Sequence, residues 1–148
     1  KNGIIYGDYM TSYSVMAVKN NGTIYTPAQG LMGKDLLAAG VKDTYNFGPV
    51  LIKDGEAQSP WAETEKYYPR TAVGMVKPND YVLLVTDTGS YTGLNHWDMV
   101  NIFKSYGCTY AYNLDGGGSA TLYFNGKVMN KLIGNTQRPC ADFLYFTR

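Results

Sequence analysis

Residues 113–119, Asn-Leu-Asp-Gly-Gly-Gly-Ser, form the stretch of this sequence with the clearest potential for chemistry. Three consecutive glycines allow backbone conformations that side chains forbid, and their amides could curl around an anion. Asp115, directly before them, would then lie at the mouth of an oxyanion or phosphate cradle. The alternative is a glycine-rich turn that Asp115 merely caps, and the residues alone leave both interpretations open.

Three charged side chains elsewhere are further candidates. Arg70 opens the run Arg-Thr-Ala-Val-Gly, where a planar guanidinium at the start of a strand could clamp a phosphate with two hydrogen bonds. A salt bridge at the rim of the protein is the alternative for this arginine. Asp87 ends an apolar run, and acids at strand ends often face a cleft, although they cap turns as often. Arg138, which precedes Pro139, is a weaker companion.

Several other catalytic patterns do not fit the sequence. The glycine run is followed by neither the Lys-Ser/Thr of a P-loop nor the helix of a dinucleotide-binding turn. His96 is the single histidine, and we expect it to be exposed in the first turn of a helix, which argues against a Ser-His or Cys-His nucleophile. Cys108 and Cys140 could form one disulfide or remain two thiols. Together with one histidine they fall short of a four-ligand zinc site, so we expect no metal and no cofactor.

The predicted elements place these residues near the ends of strands. The better helix covers residues 95–107, between a capping Asn95 and a terminating Gly107. Its expected buried stripe recurs every three positions, at Trp97, Val100, Phe103 and Tyr106. A shorter helix covers residues 34–40. The rest of the chain predicts strands, at residues 14–19, 22–26, 49–53, 72–76, 81–87, 110–113, 120–124, 127–129 and 142–146.

The order of these elements predicts the fold class. Residues 72–76 and 81–87 predict a hairpin, and Asn125-Gly126 is the strongest turn signal for another. The run at 81–87 is continuously apolar, so we expect it to be buried on both faces. The helix at 95–107 should cross between neighbouring strands. We therefore predict an α+β fold, with a mixed, mostly antiparallel sheet and two helices packed on it.

Length and charge limit the possible functions. The chain has 148 residues, which fits one domain. Charged residues make up 17% and the formal net charge is +1, so no bulk positive charge is available to hold a nucleic acid. No apolar stretch approaches the roughly 20 residues that span a membrane. The 14 tyrosines suit strands or a sugar-facing wall.

Two motifs give the sequence a family resemblance. The run Tyr-Asn-Leu-Asp-Gly-Gly-Gly-Ser-Ala-Thr-Leu at residues 112–122, together with Arg-Thr-Ala-Val-Gly at residues 70–74, resembles the phosphodiester glycosidase family. The resemblance covers nearly the whole chain in order, through residues 47–55, the helix before Gly107, the Asn125-Gly126 hairpin and residues 138–142.

The sequence departs from the usual family pattern at two places. Members usually carry an upstream Asn-Gly-Gly segment that does not occur in this sequence. We therefore expect residues 1–148 to be one phosphodiester glycosidase-like domain that lacks the N-terminal part of the full domain. Members also usually have Gly-Arg after the strand-end acid, where this chain has Thr88-Gly89-Ser90.

The resemblance implies hydrolysis of the glycosidic bond of a sugar-1-phosphodiester. The substrate would be of the N-acetylglucosamine-1-phosphate type, linked to the cell surface or to exopolysaccharide. Asp115 would stabilise the oxocarbenium-like centre or activate water, with Asp87 as the second choice, and Arg70 would hold the phosphate. The implied substrate-binding residues are Asn113, Gly116, Gly117, Gly118, Ser119 and Arg138.

The expected partner is therefore a carbohydrate phosphodiester, and we expect neither a nucleic acid nor insertion into a membrane. The implied location is extracellular or in the cell envelope. A non-catalytic glycan-binding or cell-envelope module that keeps the fold is a second hypothesis. Hydrolysis of another phosphodiester, such as a nucleic acid, is a third hypothesis, which the near-zero net charge disfavours.

Overall fold

The computed structural model describes residues 1–7, 14–58, 67–87 and 93–146. Within these ranges the helices are α1 (Gly33–Ala38) and α2 (His96–Ser105). The strands there are β1 (Ser14–Lys19), β2 (Ile24–Tyr25), β3 (Val41–Phe47), β4 (Val50–Lys53), β5 (Glu56–Ala57), β6 (Thr71–Lys77), β7 (Asp80–Val85), β8 (Tyr110–Asn113), β9 (Tyr123–Phe124) and β10 (Lys127–Val128). This content confirms the predicted α+β class.

A five-stranded sheet in the order β5-β4-β8-β6-β7 organises the domain. Its paired strands are antiparallel to one another. The central strand β8, Tyr-Ala-Tyr-Asn, is buried at all four positions. Because side chains alternate between the two faces of a strand, β8 contributes to a separate core on each side of the sheet.

The two faces of this sheet are covered by different layers. On one face, α2 packs over Leu51, Ile52, Ala72, Cys108 and Ala111. On the other face, a three-stranded sheet in the order β2-β1-β3 packs its apolar side chains against those of β6 and β8. The buried members of this second core are Met16, Ile24, Val73, Met75, Tyr110 and Tyr112.

Two of the tyrosines therefore serve the core. Tyr110 and Tyr112 are 4% and 0% exposed. The hydroxyl of Tyr110 lies 2.7 Å from Oγ1 of Thr26, and that of Tyr112 accepts a hydrogen bond from the Phe47 amide at 2.8 Å. Burial raises the pKa of Tyr112 to about 12. For this pair the structure favours strand packing over a sugar-facing wall.

Helix α2 begins where the sequence predicts. Asn95 caps it, since Oδ1 of Asn95 accepts from the Asp98 amide at 2.8 Å. Its buried stripe, however, consists of His96, Met99, Val100 and Phe103, whereas Trp97 and Tyr106 are 41% and 63% exposed. Residues that recur every three positions drift around a helix of 3.6 residues per turn. The observed buried residues lie three, four and seven positions after His96, and this spacing keeps them on one face.

Strand β7 corrects one prediction. The run from Tyr81 was expected to be buried on both faces, but β7 is an edge strand whose positions are exposed or half-buried, and Leu83 is 45% exposed. The predicted hairpin with β6 is confirmed. The helical crossover also differs from the prediction, because it joins β7 to β8 and these strands are separated by β6.

The C-terminal part of the chain gives further differences. Residues 142–146 were predicted to be a strand, but this described segment is not in a strand, and the ring centre of Phe146 lies 5.1 Å from that of Tyr81. The prediction for residues 120–124 was too long, because only Tyr123–Phe124 pairs with β10. The turn at Asn125-Gly126 is confirmed, and both residues have positive φ.

The structure also decides two points that the sequence left open or missed. Cys108 is a buried free thiol and Cys140 an exposed one, so they do not form a disulfide. Strand β3 was not predicted, since its sequence Val-Lys-Asp-Thr-Tyr-Asn-Phe lacks clean alternation; it pairs along the length of β1. Within the described ranges, no helix is long and apolar enough to cross a membrane.

Candidate active site

One end of the five-stranded sheet gathers the predicted catalytic residues. Arg70 directly precedes β6, Asp87 follows β7, and Asp115 follows β8. Because β6 is antiparallel to both neighbours, its first residues lie beside their last ones. The sheet thus brings together three segments that are up to 45 residues apart in the sequence.

Backbone hydrogen bonds join the two family motifs at this end. The Leu114 amide donates to the Thr71 carbonyl at 2.8 Å, and the Gly117 amide donates to the Pro69 carbonyl at 2.8 Å. Arg70 and Asp115 lie between these two bonds, on facing segments of chain. The backbone therefore fixes the guanidinium-bearing and carboxylate-bearing residues next to each other.

The Asp115 carboxylate is oriented by three neighbours. Oδ1 accepts from the Gly116 amide at 2.8 Å, and Oδ2 accepts from the Ser119 hydroxyl at 2.8 Å. Nη2 of Arg138 lies 3.7 Å from Oδ2. The side chain of Asp115 remains 47% exposed, so a fixed carboxylate faces solvent at the sheet end. The Ser119 contact was not foreseen, and it arises because residues 117–119 form a single 3-10 turn.

The three positions of the glycine run differ in how strictly they require glycine. A Cβ on Gly116 would lie 2.5 Å from the Pro69 carbonyl oxygen, so this position packs backbone against backbone. Gly117 has a φ of +56°, which favours glycine. A Cβ on Gly118 would meet the Cδ of Arg138 at 3.4 Å.

These contacts limit the predicted anion cradle. The Gly116 amide is bonded to Asp115 and the Gly117 amide to Pro69, while the Gly118 amide has no acceptor among the residues that the structure describes. In this conformation, Gly118 therefore offers the amide with which a phosphate oxygen could bond. Phosphate binding by the other two amides stays a prediction.

Arg70 is held at the boundary between the sheet and α2. Its amide donates to Oγ1 of Thr86 at 2.8 Å, and its Nε donates to the Leu94 carbonyl at 3.0 Å. The guanidinium carbon lies 5.2 Å from the centre of the Tyr68 ring. Burial lowers the pKa of Arg70 from its ordinary value, and the group stays charged because that value is very high.

His96 was expected to be exposed, and the structure contradicts this. It is 6% exposed, and neither ring nitrogen has a hydrogen-bond partner among the described residues. Burial, and then the charge of Arg70, lowers its pKa to about 4, so the imidazole is neutral at pH 7. A signal was available in the sequence, because His96 lies three and four residues before the buried Met99 and Val100.

The remaining candidates have partners of their own. Oδ1 of Asp87 accepts from the Lys131 amide at 2.7 Å, which ties the end of β7 to the segment after β10. Asn113 is 1% exposed; its Nδ2 donates to the Gly48 carbonyl at 2.7 Å, while its Oδ1 has no partner within the described ranges. Their roles toward substrate stay predictions, and the departure at residues 88–90 lies outside the described residues.

Two cavities, of about 370 and 250 Å³, lie away from this end of the sheet. They are lined mainly by β1, β3 and the C-terminal segment, and neither includes Arg70, Asp87 or Asp115. The candidate site is therefore defined by its polar groups and not by the larger cavity. In the described part of the chain, no group of three or more His, Cys, Asp or Glu residues is placed to hold a metal ion.

Two solved structures are similar in fold to this chain. The catalytic domain of zebrafish N-acetylglucosamine-1-phosphodiester alpha-N-acetylglucosaminidase, auto-inhibited by its pro-peptide, matches with a TM-score of 0.65 and 24% identity, over 80% of this chain and 44% of that chain. A hypothetical protein from Synechocystis matches with a TM-score of 0.57 and 14% identity, over 87% of this chain and 33% of that chain. These similarities establish a shared fold.

The family is established by the sequence comparison. The phosphodiester glycosidase family model matches residues 1–147, so the chain belongs to the phosphodiester glycosidase family. The SPbeta prophage-derived uncharacterized protein YomE of Bacillus subtilis (strain 168) is 29% identical over 97% of this chain. The N-acetylglucosamine-1-phosphodiester alpha-N-acetylglucosaminidase of Mus musculus is 41% identical over 38% of this chain. The chain spans 24% of the length of the former and 11% of the latter.

Proposed function

We propose that this domain hydrolyses the glycosidic bond of a sugar-1-phosphodiester, with N-acetylglucosamine 1-phosphate linked to a cell-surface or exopolysaccharide component as the substrate type. The observation that carries the proposal is the Gly117–Pro69 hydrogen bond of 2.8 Å, which holds the Asp115 and Arg70 segments against each other. A carboxylate-bearing and a guanidinium-bearing residue on neighbouring backbone segments match a substrate with a glycosidic carbon next to a phosphate.

The residues of the candidate site have different roles in the proposed reaction. Arg70 neutralises the phosphate, which makes the phosphomonoester a good leaving group without much acid assistance. The bond between the anomeric carbon and the phosphate oxygen breaks, and an oxygen from water bonds to the anomeric carbon. Asp115 stabilises the oxocarbenium-like centre or takes the proton of that water, and Asp87 is the second choice for this role. Arg138 and Ser119 keep the Asp115 carboxylate in place.

Phosphorus NMR of the methyl phosphodiester of N-acetylglucosamine 1-phosphate, in water enriched in the heavy oxygen isotope, tests this proposal. We expect methyl phosphate and free sugar as products, with the heavy isotope in the sugar. Isotope in the phosphate would mean cleavage of the phosphorus–oxygen bond and would support the third hypothesis, a different phosphodiesterase. A lack of products, with saturable binding of the intact compound, would support a binding module.

One observation favours that binding module as a second candidate. Phe143 and Tyr145 are 77% and 61% exposed, their ring centres are 6.0 Å apart, and both line the cavity of about 250 Å³. Exposed aromatic faces beside polar groups suit stacking on sugar rings. Under this alternative, Phe143→Ala weakens glycan binding measured by calorimetry, whereas Asp115→Asn leaves it unchanged.

A further inference from the structure

His96 lies where the charge of a bound phosphate would reach it. The Nε of Arg70 donates to the carbonyl of Leu94, two residues before His96, so the guanidinium is tied to the first turn of α2. His96 follows the cap residue of this ten-residue helix, where the helix dipole places partial positive charge. The imidazole, the guanidinium and the helix start therefore share one small region.

Unpartnered buried atoms also concentrate at this end of the sheet. In the described residues they are both ring nitrogens of His96, Oγ1 of Thr71, Oδ1 of Asn113 and Nζ of Lys1, and this ammonium has Asp142 as an ion-pair partner at 2.9 Å. The first three residues lie at the ends of β6, β8 and α2 that meet here. Buried polar atoms normally have partners, so the unpartnered atoms of His96 and Asn113, on the face of the sheet that α2 covers, indicate a place where another polar group could bond. Thr71 alternates with Ala72 and faces the other core.

We propose that His96 belongs to the phosphate site and acts through Arg70: when a phosphodiester binds at the guanidinium, the imidazole takes up a proton from solvent, and the affinity for the phosphodiester rises as the pH falls. This inference rests on the proposed function for the identity of the ligand. In it His96 is a positioning residue, because its nitrogens are buried and its coupling to the ligand is electrostatic.

The charged groups around His96 explain the direction of the effect. Arg70, from the sheet, is the charge that lowers the pKa of His96. Asp98 lies on the same helix as His96, and its Oδ2 accepts a hydrogen bond from the Asn95 amide at 3.2 Å. Asp115 bonds to Ser119, and Asp87 bonds to the Lys131 amide. A phosphodiester would bring a negative charge to the guanidinium and so oppose its effect on the imidazole.

The expected shift can be measured directly, because His96 is the single histidine of the chain. Its ring signal in a proton–carbon NMR spectrum is titrated with and without dimethyl phosphate, a phosphodiester whose charge is constant over the pH range used. We expect the midpoint to rise by about 1 to 2 pH units from a value near 4. By linkage, dimethyl phosphate should bind about three- to twentyfold more tightly at pH 4.5 than at pH 7.

Two variants separate the coupling from a general effect. Arg70→Gln should raise the midpoint without ligand and abolish the shift with dimethyl phosphate. Lys104→Gln removes an exposed cation from the last turn of the same helix and should leave both values unchanged. If Arg70→Gln does not fold, the titration of His96 in the wild type with and without dimethyl phosphate is sufficient to test the inference.

The outcomes distinguish this inference from the proposed function. A midpoint that dimethyl phosphate does not move in the folded wild type overturns the inference, and turnover of the sugar phosphodiester in the same preparation would leave the proposed function standing. A raised midpoint without turnover supports the role of His96 and counts against hydrolysis.

Discussion

The Gly117 amide and the Pro69 carbonyl are joined by a hydrogen bond of 2.8 Å, which closes the contact between the glycine-rich segment after β8 and the residue before Arg70. Together with the bond from Leu114 to Thr71, it continues the pairing of β6 and β8 beyond the end of the sheet. Rigid backbone thus supports the two charged side chains, which is what a site for a charged transition state requires.

Replacing Asp115 by Asn should remove catalysis and leave the fold intact. The amide has nearly the same shape but no negative charge, so it can neither stabilise an oxocarbenium-like centre nor accept a proton. We expect kcat/KM on the sugar-1-phosphodiester to fall by about 10²- to 10⁴-fold. Asp54→Asn, in the exposed turn between β4 and β5, is the matched control and should keep full activity. Undiminished activity of Asp115→Asn would remove this carboxylate from the mechanism.

Gly116→Ala and Gly118→Ala should have different effects on stability, although the two positions are only two residues apart. A Cβ at Gly116 would lie 2.5 Å from the backbone oxygen of Pro69, so the glycine segment must move away from Arg70. We expect a loss of about 1 to 3 kcal/mol in the free energy of unfolding and a marked loss of activity. At Gly118 the Cβ meets the Cδ of the flexible Arg138 at 3.4 Å, so the alanine should cost much less. Urea unfolding checks both, and equal effects would contradict the packing argument.

Gly74→Ala should destabilise the core. Its Cβ would lie 2.5 Å from Cδ1 of Phe103 and 2.7 Å from Sγ of Cys108, where both side chains are buried. Overpacking of this kind costs about 1 to 3 kcal/mol. Because the sulfur is one of the two obstructing groups, Gly74→Ala combined with Cys108→Ala should lose less than the sum of the single variants. Additive losses in a double-mutant cycle of urea unfolding would show that the sulfur is not the obstruction.

Acid should weaken the fold through His96. Its pKa is about 4 in the native state and near 6.5 in the unfolded chain, so between these values the unfolded state binds a proton that the native state does not. The stabilisation is present above about pH 6.5 and is lost as the pH falls towards 4. We expect the wild type to lose up to about 3 kcal/mol more than His96→Asn over this range. Parallel pH profiles of unfolding for the two proteins would show that His96 does not titrate in this way.

Much of the local structure could be predicted from the sequence, because it is coded by neighbouring residues. Asn95 and Asp98 form the capping box that starts α2, and Asn125-Gly126 supplies the positive φ values of a tight hairpin. The Asp-Gly-Gly-Gly segment and Arg70 were predicted as candidate site residues for the same reason, since glycines, acids and arginines at strand ends have a limited set of uses, and the structure places their segments side by side. The fold class followed from the order of these elements.

The tertiary structure decided which of those groups meet and which face the solvent. The run from Tyr81 to Val85 is apolar throughout, yet its positions are half-buried or exposed because β7 lies at the edge of the sheet, a position set by pairing with β6. His96 is buried because α2 crosses over β6 and lays its first turn beside Arg70. Two of the three glycine amides are occupied because Asp115 and Pro69 lie within hydrogen-bonding distance. Such facts depend on contacts between distant parts of the chain, which local residue patterns do not encode.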